Sequence, residues 1–142
     1  MCREVIMIGT ACIFFFLGIH TWEDVRKREI SVKKMICFGI LGIGYLIFFR
    51  NPVLGELLCS LLPGMLLLLL GRITSQAVGY GDGWVILILG LFLAPAELLG
   101  ILGLASALAG IWALYLVVRK RKDQEIPFLP FLLLGFAGGV LL

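Results

Sequence analysis

From Gly83 to Val118 the chain carries a single charged side chain, Glu97, in a stretch made largely of aliphatic, small and aromatic residues. As a helix rising about 1.5 Å per residue, these roughly 36 residues would extend about 54 Å, nearly twice a hydrocarbon core of roughly 30 Å. The run is too apolar for water and too long for one crossing. It therefore predicts two membrane passes, with Pro95 beside Glu97 marking the break between them.

The remaining chain has the same character. Val5 to Ile19 is a first apolar segment, and Met35 to Phe49 is a second, closed by the turn signal Asn51-Pro52. Leu54 to Gly71 is a third, with Pro63 placed to kink it, and a last segment runs from Pro127 to Leu142. Together they predict an all-α membrane protein, a polytopic bundle of six transmembrane helices in one integral-membrane domain over residues 1–142. Hydrophobic residues make up 61% of the sequence, against roughly 45–50% in soluble domains. The polar stretches between segments are too short to fold an extramembrane module. Gly83 to Ala94 and the last segment are short for a full crossing, which implies a thinned bilayer or a recessed site. In the fifth helix Gly100, Gly103 and Gly110, with Ala105, Ala107 and Ala109, offer a small-residue face for close packing.

Charge sets the orientation. Arg26, Lys27, Arg28, Lys33, Lys34, Arg72 and Arg119 to Lys122 fall in alternate loops on one side, against Arg3 and Arg50 on the other. That bias places the basic loops in the cytoplasm and both termini outside. The first segment has its positive charge behind it, the reverse of a secretory signal peptide, and reads as a retained helix. The net charge of +3 belongs to headgroups and topology, with membrane lipids as partners and no nucleic acid. Cys2, Cys12, Cys37 and Cys59 stand singly and read as packed thiols. His20 reads as an interfacial side chain, without neighbours that would make a metal site, and Trp22, Tyr80 and Trp84 as part of an aromatic belt.

The same orientation brings Asp24, between the first two helices, and Asp82, between the third and fourth, to one face, while Glu56 and Glu97 fall on the other. A carboxylate at the mouth of a long apolar run is a functional-site hypothesis. Two carboxylates close together in a low-dielectric setting share a proton and titrate as a unit, an acid and a base in one. Such a pair suits aspartic proteolysis without a cofactor or metal, one member taking a proton from water while the other polarises the scissile carbonyl. Gly79 and Gly81, flanking Tyr80, would let an extended substrate approach the backbone beside Asp82. On the residues alone, Asp82 also suits a helix cap, Asp24 a solvated loop, and the pair a small proton- or cation-coupled transporter.

These residues resemble a family, the prepilin peptidases or type IV leader peptidases, intramembrane aspartic proteases with a GxGD motif. Asp24 followed by Ile30 looks like the family's first aspartate and the isoleucine of its Ile-Pro pair; Gly79-Tyr80-Gly81-Asp82 looks like the GxGD; Ile126-Pro127-Phe128-Leu129-Pro130-Phe131 resembles the signature that opens the last helix. The resemblance implies that Asp24 and Asp82 are catalytic and that type IV prepilins or prepilin-like proteins are cleaved at the cytoplasmic face of a bacterial plasma membrane. The cut would fall between a short basic leader and an apolar helix. Ser31 stands where many members have proline, and Trp84 where many have lysine. Those departures motivate a second reading, a catalytically silent scaffold of a pilus or secretion system. The large insertion with paired CxxC motifs found in methylating members is missing, so peptidase activity without methyl transfer is expected.

Overall fold

The computed structural model describes residues 2–27, 31–74, 80–121 and 128–141. Among the described residues six α-helices follow one another: α1 (Cys2–Lys27), α2 (Val32–Tyr45), α3 (Leu54–Ile73), α4 (Tyr80–Phe92), α5 (Pro95–Val118) and α6 (Leu129–Leu141), with a π-helical turn, Leu46–Arg50, ending α2. Four stretches, Arg3–Lys27, Val32–Arg50, Leu54–Ile73 and Pro95–Val118, are long and apolar enough to cross a membrane; α4 and α6 are shorter apolar helices.

The punctuation expected from sequence is where local chemistry puts it. Asn51 adopts the left-handed conformation at φ 39°, a region asparagine tolerates better than most residues, and its N–H closes the π turn on Leu46 O at 2.9 Å. Pro95 opens α5, where its missing N–H costs nothing, and the Ala94 N–H donates to Glu97 Oε2 at 3.4 Å. Pro63 lies within α3, whose helix continues on both sides of it. The last helix begins at Leu129 with Pro130 in its first turn; Ile126 and Pro127 lie outside the described residues.

At the middle of the bundle sits α4, packed most heavily on α3, also on α2, and more lightly on α1 and α5. Val85, Ile86, Ile88 and Leu89 bury on successive faces of it, as a helix surrounded by protein must. α6 packs on α5 and on α1, and its Leu129, Leu132 and Phe136 are buried in the same core as Leu98, Ile101, Phe16 and Leu17.

α3 is held differently. Its buried residues are Ser60, Gly64 and Gly71, while leucines such as Leu58, Leu62 and Leu66 point outward, as they can in lipid. A Cβ on Gly64 would come within 2.6 Å of the Leu87 backbone nitrogen, and one on Gly90 would collide with the Ser60 carbonyl oxygen. Only glycine permits backbones this close.

The small-residue face expected on α5 is used in part. Ala105 packs on α6, where a Cβ on Gly135 would meet the Ile101 carbonyl at 2.8 Å, but Gly100, Gly103 and Gly110 have nothing within 4 Å. They lie on the opposite side of α5 from its buried stripe of Leu98, Ile101 and Ala105. The closest approaches are between α3 and α4, at Gly64 and Gly90. Cys12 is half-buried and packs against the core, but Cys37 and Cys59 are exposed on the bundle surface, which corrects the expectation of packed thiols for those two.

Candidate functional site

α1 continues through the charged residues after Ile19 to Lys27, so Asp24 stands on the last turns of a helix and not in a loop. Ile13, Leu17 and His20 are buried, and Asp24 follows them at the same three- and four-residue spacing, which keeps it on the core-facing side. It is half-buried there.

Asp82 lies in the first turn of α4. The helix begins at Tyr80, three residues before the apolar run, and draws Gly81 and Asp82 out of the expected loop. Gly79 lies outside the described residues, and of Tyr80 only the backbone belongs to them. The N-terminal end of a helix favours a carboxylate, while partial burial and a neighbouring negative charge oppose it. Both influences act here: Asp82 is half-buried, and Asp24 lies close enough for its charge to act on Asp82. Among the described residues, neither carboxylate has a hydrogen-bond or ion-pair partner. Gly83, one residue on, packs against Leu68, 3.0 Å from where its Cβ would stand, and so brings the first turn of α4 against α3.

Three supporting features were not visible in the sequence reading. His20, expected at an interface, is fully buried. Its ring lies 4.4 Å from that of Phe16 and 6.1 Å from that of Phe38, and Nδ1 is 2.9 Å from the Phe16 carbonyl oxygen. Donation from Nδ1 to that carbonyl fixes the tautomer and leaves Nε2 as an acceptor. Next, Lys34 on α2 forms an ion pair with Glu23 on α1, and the Ser31 backbone N–H also faces that carboxylate. Proline at this position would have no hydrogen to offer.

The third feature is at the far end of α4. Arg50 donates from one guanidinium nitrogen to the Gly90 carbonyl at 2.8 Å and from the other to Glu56 at 3.1 Å. α4 has 13 residues, about 20 Å of helix against a hydrocarbon core of roughly 30 Å. Its last carbonyls therefore need partners from within the protein, and Arg50 supplies one. Glu56 and Glu97 belong to this end, away from Asp24 and Asp82, as the alternation of loops predicts. Trp22 is exposed and Trp84 partly so, in keeping with boundary positions.

A family model described as the type IV leader peptidase family matches residues 11–114. The match covers most of the chain, including Asp24 and Gly79 to Asp82, and the chain belongs to that family. With its long apolar helices, it is a multi-pass membrane protein of the leader-peptidase class. No curated relative and no solved structure matches it.

Proposed function

We propose that this chain is an intramembrane aspartic endopeptidase that removes the leader from type IV prepilins or prepilin-like proteins at the cytoplasmic face of a bacterial plasma membrane. Asp24 and Asp82 form its catalytic pair. The ionised member takes a proton from water, whose oxygen attacks the scissile carbonyl; the protonated member donates to the carbonyl oxygen, and the departing amine takes up a proton as the intermediate collapses. Gly79, Tyr80 and Gly81 line the cleft in which the substrate backbone lies, and the chain acts without methyl transfer. Six crossings with both termini outside would put the pair on the cytoplasmic side.

The observation that carries the reading is the electrostatic nearness of two half-buried carboxylates that lack partners among the described residues, one on α1 and one in the first turn of α4, in a member of a leader-peptidase family. A structural charge in such a setting is normally paired. The test is the gel mobility of a prepilin co-expressed with wild type, Asp24→Asn or Asp82→Asn, at matched membrane levels. Shortening by wild type alone supports the pair; shortening by either variant sinks it. Failure of wild type on several prepilins would favour the silent scaffold that Trp84, in place of lysine, suggests.

A further inference from the structure

On the side of α1 turned away from the core, a groove of about 580 Å³ opens beside α2, lined by Gly18, Trp22, Glu23, Arg26, Lys27 and Lys34 among others. We propose that this groove is a binding site for an anionic phospholipid, separate from the carboxylate pair, with the headgroup phosphate at its basic rim and an acyl chain along α1.

The rim has the right sign. Lys34 is neutralised by Glu23, which leaves Arg26 and Lys27 as the net positive charge. The Arg26 guanidinium is held over the Trp22 ring at 5.2 Å, an arrangement that orients it while keeping its hydrogen-bond donors available to a phosphate. Trp22 is 66% exposed, and a tryptophan at this level is suited to the headgroup boundary.

From the groove toward the start of α1 the helix surface becomes apolar. Ile8, Ala11, Phe15, Gly18 and Trp22 recur every three or four residues and so form one stripe on α1, with Ile8 and Phe15 well exposed. Gly18 has nothing within 4 Å of where a Cβ would stand, and the resulting notch lies between the basic rim and Phe15. A phosphate above a hydrocarbon chain matches this sequence of surfaces. The basic leader of a prepilin substrate does not, because Arg26 and Lys27 would repel it; charge thus assigns the groove to lipid and not to substrate.

The test uses the full chain purified in detergent and equilibrated with equal amounts of phosphatidylglycerol and phosphatidylcholine, with retained lipid counted by native mass spectrometry. Wild type is expected to retain phosphatidylglycerol preferentially. The double variant Arg26→Gln/Lys27→Gln should lower that retention about tenfold, while Arg119→Gln/Lys120→Gln, with the same loss of charge elsewhere, should not. Gly18→Leu changes no charge and its Cβ meets nothing within 4 Å, yet the side chain fills the notch, and it should also lower retention. Equal retention of the two lipids, equal effects of the two charge variants, or wild-type retention by Gly18→Leu would each overturn the proposal. None of these readouts depends on cleavage, so the lipid site and the peptidase reading stand or fall separately.

Discussion

The two ends of α4 treat charge in opposite ways. At its C-terminal end Arg50 is enclosed by the Gly90 carbonyl and Glu56, and nearby Glu97 turns back to the Ala94 N–H. Asp82, at the other end, shares its surroundings with another carboxylate, Asp24. Arg50 and its partners complete one another and hold a short helix in place. The aspartates lack such partners among the described residues and oppose one another, an arrangement that adds little to stability and suits the proton transfer proposed for them.

The largest effect should separate these roles. Asp24→Asn and Asp82→Asn are expected to lower prepilin cleavage by about 10²–10⁴-fold without lowering the melting temperature in detergent, because each relieves a repulsion. A parallel fall in both quantities would mean that the carboxylates are structural and would erase the contrast. The wild-type rate should also trace a bell with pH: a second proton on the pair removes the base, and loss of the shared proton removes the acid. A flat profile across the acidic and neutral range would contradict a shared proton.

Arg50→Met should do the reverse. Leaving the Gly90 carbonyl and Glu56 unpartnered should cost about 1–3 kcal/mol, measured by reversible unfolding in mixed micelles, while molecules that remain folded still cleave. Comparable in size is the expected cost of Gly64→Ala or Gly90→Ala, about 1–3 kcal/mol from forcing α3 and α4 apart. Gly100→Ala and Gly103→Ala, whose new methyl groups meet nothing, should stay within about 0.5 kcal/mol of wild type. If all four glycine variants behave alike, the contact of α3 with α4 is looser than described.

What could be read from sequence was local. The break at Pro95, the turn at Asn51 and the number of apolar segments follow from backbone chemistry and length, and the structure keeps them. The GxGD motif and Asp24 stood out because carboxylates beside apolar runs are rare. Polar composition after Ile19 suggested that α1 had ended, yet the spacing of Ile13, Leu17, His20 and Asp24 was present and marked one continuous face. His20 was misplaced for the same reason. The glycines of α5 and those of α3 and α4 look alike in sequence; which set meets a neighbour depends on which helices are adjacent, and no local rule supplies that.

The π turn at Leu46–Arg50 has a consequence for insertions and deletions. Each residue of an ordinary α-helix advances by about 100°, and a π turn accommodates one residue more than an α turn. A chain one residue shorter between Tyr45 and Asn51 could therefore wind as plain α-helix and still bring its arginine to nearly the same side of α2, because the five residues of the π turn sweep about the angle that four residues of α-helix do. The arginine is therefore more tightly constrained than the length of the segment: one of the apolar residues before it can be lost as the π turn becomes an α turn, whereas Arg50 carries the contacts to the Gly90 carbonyl and Glu56.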